Sequence, residues 1–152
     1  MSIVLGKDEK NIVQDSFTAN LVLFWLKANY ALTNKRVTGN TPNTFLGLIP
    51  FGSAQISQPL KTVASVQSSS EFKIKRLIVG LILVGIGYSV GTFSLFGIVF
   101  MLLGAINILN CYTATFIITN NAGQSSGYEI SILESSRVEA FTEEVNTAIA
   151  DL

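Results

Sequence analysis

The side chains that could carry chemistry are few, and their spacing does not suit a reaction. The chain of 152 residues contains no histidine, which removes the commonest general base and metal ligand. Its one cysteine, Cys111, makes neither a zinc site nor a Cys–His dyad and leaves no intrachain disulfide. It reads as a small apolar residue at a helix end. No Gly-rich loop with a following Lys offers a phosphate cradle. The late carboxylates, Glu139, Glu143 and Glu144, fall on the outer face of an amphipathic helix and read as solvated. No catalytic residue, metal site or cofactor is expected, and the chain is expected not to be an enzyme.

Binding chemistry is better represented. Lys73, Lys75 and Arg76 stand immediately before a long apolar run, and Lys35 with Arg36 occupies a turn, with Lys27 close in sequence. Cations held at a lipid surface attract anionic headgroups by about 1 kcal/mol each. These five residues, Lys73, Lys75, Arg76, Lys35 and Arg36, are the candidate lipid or membrane-surface contacts.

The element that would position them is the stretch from Leu77 to Tyr112, which holds no charged residue. One crossing of a hydrocarbon core takes roughly 20 apolar residues, so the run is too long for one helix and suits two short ones. Tyr88–Ser94 is its most polar part and the place for a reversal. The expectation is a transmembrane helical hairpin, out over about Leu77–Gly91 and back over about Leu95–Asn110. Gly80 and Gly87, and likewise Gly97 and Gly104, are seven apart, and Gly87 with Gly91 forms a GxxxG. Such small-residue stripes let helices approach closely, within the hairpin or between subunits. Asn107 and Asn110, one turn apart, suit interhelical or interfacial hydrogen bonds.

The charge is zero overall but unevenly placed. Nine basic and four acidic side chains precede the apolar run, whereas Arg137 alone opposes six acids after residue 128. Mean hydropathy is +0.48, high for a chain with 13% charged residues. The opening MSIVLGKDEKNIVQD lacks a basic segment followed by an apolar one, so no cleaved signal peptide is expected. Short flanks rich in Lys and Arg stay cytoplasmic. The expected location is therefore the inner (plasma) membrane, with two transmembrane helices and both soluble parts cytoplasmic.

The rest of the chain reads as strands and one helix. Residues 1–15 form an N-terminal arm, helical or irregular. Leu21–Leu26 and Ala28–Thr33 are β-branched and aromatic runs, Asn34-Lys35 is a turn, and Arg36–Thr38 resumes a strand. Gly39–Asn43 reads as a loop. Thr44–Ile49, Ser53–Ser57, Thr62–Gln67 and Glu71–Lys75 are further short strands. Thr113–Thr119 and Tyr128–Leu133 flank a turn at Asn120–Gly127. Val138, Phe141, Val145 and Ala148/Ile149 then mark the apolar stripe of a closing helix capped by Ser135 or Ser136. Two strands after the hairpin are too few for an independent sheet, so they must pair with strands before it. The expected organisation is residues 1–15 as arm, 16–76 as the first part of a β-domain, 77–112 as the hairpin and 113–152 as the last strands and closing helix.

Tyr30-Ala-Leu-Thr-Asn-Lys-Arg-Val37 resembles the Y-x-L-T-N-x-R signature of bacterial pleckstrin-homology-like (PH-like) domains. Pro59-Leu-Lys-Thr-Val-Ala-Ser-Val66 is similar to the element that follows it in that family. The resemblance implies an α+β fold, a PH-like antiparallel β-barrel or sandwich with a C-terminal amphipathic helix, here interrupted by the two-helix transmembrane hairpin. It also implies that basic residues on early strand loops, here Lys35 and Arg36, can meet lipid headgroups. The expected function is a non-enzymatic, membrane-anchored scaffold or interaction subunit of a homo-oligomeric assembly. A lipid-headgroup-binding module is the alternative, and a pore-forming or transport-accessory subunit is less favoured. Membrane lipid, further copies and other membrane-protein subunits are the expected partners, and nucleic acid is not.

Overall fold

The computed structural model describes residues 5–45 and 49–152. Among the described residues, seven strands form two antiparallel sheets. The first, in order β1-β2-β3-β4, comprises β1 (Asn11–Thr18), β2 (Lys27–Thr33), β3 (Arg36–Phe45) and β4 (Ile49–Pro59). The second, in order β5-β6-β7, comprises β5 (Val63–Phe72), β6 (Tyr112–Asn120) and β7 (Ser125–Ser131). A helical hairpin, α1 (Ile74–Val90) and α2 (Leu95–Leu109), stands between β5 and β6, and α3 (Ser135–Ala150) closes the chain.

The core lies between the sheets and under α3. Phe17, Tyr30, Phe116 and Phe141 are all buried. Phe141 of α3 stacks at 5.6–6.2 Å on the other three rings, distances at which aromatic pairs add to plain burial. Leu32, Val37, Val66, Ile118, Ile130, Val138 and Val145 complete the cluster. Arg137 near the start of α3 lies 5.2 Å over the Phe17 ring and pairs with Asp15 of β1.

Several elements differ from expectation for local reasons. The N-terminal arm holds a strand: Val13, Asp15 and Phe17 of β1 turn inward while Ile12, Gln14 and Ser16 are exposed, and the inward Asp15 is tolerated because Arg137 meets it. The run Leu21–Leu26 is a loop. Asn20 Oδ1 accepts from the Val22 and Leu23 amides, a local bond that competes with strand pairing. Ala19 N then donates to Leu26 O and closes the loop. Gly39–Asn43 lies inside β3. Its Pro42 lies beyond the end of the β2–β3 pairing at Asn40 and beside a register shift in the β3–β4 pairing, places where a strand tolerates proline. The expected strand Thr44–Ile49 includes residues 46–48, which, like residues 1–4, lie outside the described residues.

The larger correction concerns the barrel and the membrane. The two sheets do not close into a barrel. α1 has 17 residues and α2 has 15, about 26 and 23 Å at the α-helical rise, against a hydrocarbon core of about 30 Å. Among the described residues no helix is long and apolar enough to cross a membrane. The two-span transmembrane hairpin and the inner-membrane placement derived from it are therefore withdrawn. The expected helices, about Leu77–Gly91 and about Leu95–Asn110, already fell short of the roughly 20 residues a crossing takes, and the observed bounds do not lengthen them enough.

β5 is an edge strand of the second sheet, and α3 covers it. Asn146 Nδ2 donates to Val66 O at 3.0 Å and its Oδ1 accepts from Val66 N at 3.3 Å, as a neighbouring strand would. Replacing Asn146 by Ala leaves both backbone groups beneath the helix without these partners. The expected loss is about 1–3 kcal/mol, read from urea unfolding; an unchanged midpoint would mean that water takes over both bonds.

Candidate functional site

The most distinctive surface is built by α1 and α2. The chain leaves β5 at Phe72 and re-enters β6 at Tyr112, and these two residues are register partners. Lys73 N donates to Cys111 O at 2.6 Å, so both feet of the hairpin are held by one ladder. Between the helices, Gly80 and Gly87 face Gly104 and Gly97. A Cβ built at Gly80 would meet Gly104 O at 2.8 Å, and one at Gly104 would meet Gly80 O at 2.6 Å. The two backbones thus touch along a glycine seam. Gly91 lies in the turn with φ +112, and its amide donates to Tyr88 O.

With the seam turned inward, the bulky side chains turn outward. Ile78, Leu81, Ile82 and Ile86 of α1 are exposed, as are Phe96, Ile98, Val99 and Leu102 of α2, and Phe93 in the turn is 100% exposed.

A girdle of charge separates this apolar hairpin from the body. Lys73 pairs with Glu71 and, at 3.3 Å, with Glu129; Arg76 pairs with Glu129. The hydrogen bond to Glu71, with the further pull of Glu129, raises the Lys73 ammonium above its ordinary pKa. Arg76 Nη1 also donates to Asn110 O at 3.3 Å. Lys75 is exposed.

The two asparagines have separate roles. Asn110 Oδ1 accepts from Leu21 N at 2.9 Å and its Nδ2 donates to Ile106 O, tying the hairpin to the loop before β2. Asn107 is fully buried; its Nδ2 donates to Leu103 O, and its Oδ1 has no partner among the described residues. Beside the girdle lies a polar hollow of about 400 Å³, lined by residues that include Asn20, Thr44, Arg76, Asn110 and Thr113.

Lys35 and Arg36 lie at the other end of the molecule. Arg36 Nε donates to Glu9 Oε1 at 2.8 Å, and the same carboxylate accepts from Thr33 Oγ1 and from Gly6 N. Lys35 Nζ donates to Lys7 O at 2.6 Å. The structure therefore separates the five candidate cations into two groups at opposite ends. A groove of about 770 Å³ also lies at this far end, between Ile12, Asn34 and Leu60 on one side and Glu143, Glu144 and Asp151 on the other. Sequence reading passed over Glu9; its only signal is a carboxylate preceding a chain whose later Arg36 has to be matched.

The Arg36 hydrogen bond, helped by Gly6 and Thr33, lowers the Glu9 carboxyl from 4.5 to about 2. A depressed carboxylate stabilises the fold fully above its unfolded value, and that contribution fades as pH falls from about 4.5 to 2. Glu9→Gln is therefore expected to be less stable at neutral pH and to lose part of the acid sensitivity across that window. Unfolding midpoints at pH 7, 4 and 2.5 measure this; parallel profiles for both proteins would rule out the assignment.

Among the described residues no group of His, Cys, Asp and Glu is arranged to hold a metal. The fold thus defines an α+β body of two antiparallel sheets and a closing helix that carries an apolar helical hairpin on a charged base. No known protein family, curated protein or solved structure matches the chain.

Proposed function

We propose that this chain is a non-enzymatic scaffold or interaction subunit whose docking element is the α1–α2 hairpin. The observation that carries the reading is a rigid mount bearing apolar side chains that nothing else among the described residues covers. Isolated apolar residues on a surface need no explanation, but a contiguous patch of them marks a contact surface. The glycine seam keeps the two helices together, and the strand pair beneath fixes their direction. Support also comes from the lack of any histidine and from the engagement of Glu71 and Glu129 by lysine and arginine.

The PH-like resemblance belongs to the same proposal. Tyr30–Val37 runs from β2 through a tight turn into β3, and the chain ends in strand, Gly-containing turn, strand and helix, as that resemblance implies. Headgroup capture by Lys35 and Arg36 draws less support, because Arg36 is committed to Glu9 and the turn lies away from the hairpin.

Excising the hairpin provides the test. Residues 73 and 111 are bonded neighbours, so an Asn-Gly pair can replace residues 74–110 as a two-residue hairpin turn. The shortened chain is expected to fold and to stay monomeric in buffer by light scattering. The full chain is expected to self-associate or to require detergent or a partner. A full chain that is monomeric in plain buffer would sink the reading.

A further inference from the structure

Three separate elements deliver exposed apolar side chains to the same end of the molecule. The loop joining β1 to β2 leaves from the paired ends Thr18 and Lys27 and carries Phe24 and Trp25, which are 66% and 61% exposed. The tip of β3 and β4, at the register pair Phe45 and Ile49, carries Phe45 and Phe51, 63% and 80% exposed. The third element is the hairpin with Phe93 and Phe96. The Leu21 N to Asn110 Oδ1 bond joins the first to the third, and the hollow lined by Asn20, Thr44, Arg76 and Asn110 places the second beside both.

Charge is arranged to match. Lys27, Lys73, Lys75 and Arg76 lie at this end; of the carboxylates there, Glu71 and Glu129 are engaged by Lys73 and Arg76, and Glu134, which accepts from Thr18 N, is engaged by Arg137. Glu143, Glu144 and Asp151 line the groove at the far end.

We infer that this end is a lipid-facing surface: the hairpin seats in a lipid layer without crossing it, and the aromatic loops rest at its boundary. The inference rests on the docking role of the hairpin. Two observations favour lipid over a protein groove. Along the two helices the hairpin exposes apolar side chains on all faces turned away from the glycine seam, with exposed Tyr88, Ser89 and Thr92 confined to its tip, whereas a groove covers one face, and a helix apolar all round belongs in a protein interior or in lipid. The side chains beside its base are aromatic, and Trp and Tyr in particular settle at the junction of hydrocarbon and headgroups. The salt-bridged girdle is the stop that keeps the body in water. Lys27 and Lys75 face the headgroups, where each cation adds about 1 kcal/mol with anionic lipid.

Trp25 is the only tryptophan, so the native full chain carries its own probe. With phosphatidylcholine vesicles the full chain is expected to co-float, its Trp25 emission to shift to the blue, and brominated acyl chains to quench that emission. Phe93→Asp, with an unchanged far-ultraviolet circular dichroism spectrum, should abolish co-flotation. Co-flotation with Trp25 neither shifted nor quenched would overturn the lipid-facing loops while leaving hairpin docking intact. No co-flotation, with discrete oligomers that Phe93→Asp dissolves, would overturn the lipid and leave docking to protein. No co-flotation from a monodisperse monomer would overturn both.

Discussion

The antiparallel pairing of β5 with β6 is the interaction on which the rest of the molecule depends. It joins residues 63–72 to residues 112–120, segments separated in sequence by the whole helical hairpin. Without it the first sheet would have no partner layer, because β7 reaches the body through β6 and α3 packs mainly over β5. The pairing also does a second job. By holding Phe72 beside Tyr112 and bonding Lys73 to Cys111, it sets the spacing of the two helices at their base. The glycine seam then carries that spacing upward, since only residues without a Cβ let the backbones meet so closely.

The two ends of the body are physically different. At one end hydrophobic side chains on the α1–α2 hairpin, the β1–β2 loop and the β3–β4 tip are exposed, and Lys73 and Arg76 are braced against Glu71 and Glu129. At the other end Glu9 gathers Arg36, Thr33 and Gly6, while the acidic part of α3 lines an open groove. The excess of bases before the hairpin and of acids after it is therefore only partly a matter of mutual attraction. Arg76 with Glu129 and Arg137 with Asp15 each join one side of the hairpin to the other, while Glu143, Glu144 and Asp151 line the far-end groove.

Much of the arrangement was legible in the residues. The turn at Asn34-Lys35, the β6–β7 hairpin around Asn120–Gly127 and the stripe Val138, Phe141, Val145 follow from turn chemistry and periodicity, which are local. The need for β6 and β7 to pair with earlier strands followed from their being too few to stand alone. The misreadings came where a local pattern met a non-local partner. The first 15 residues looked like a helical or irregular arm, because the partner that lets Asp15 sit inward in β1, Arg137, lies far along the chain. Leu21–Leu26 looked like a strand until the Asn20 side chain captured its amides. Pro42 looked like a loop residue because the end of β2 cannot be seen from the neighbours of Pro42.

By itself, then, the sequence determined that an apolar, glycine-striped helical pair interrupts an α+β body with few groups capable of catalysis. Composition and period suffice for that, because the hydrophobic effect and backbone sterics act residue by residue. Tertiary structure alone decided two further things: that the glycines serve the hairpin itself, and that Lys35 and Arg36 lie far from Lys73, Lys75 and Arg76. Those depend on how the helices face each other and how sheets align. Both are set by hydrogen bonds and packing between residues tens of positions apart, which no stretch of sequence carries on its own.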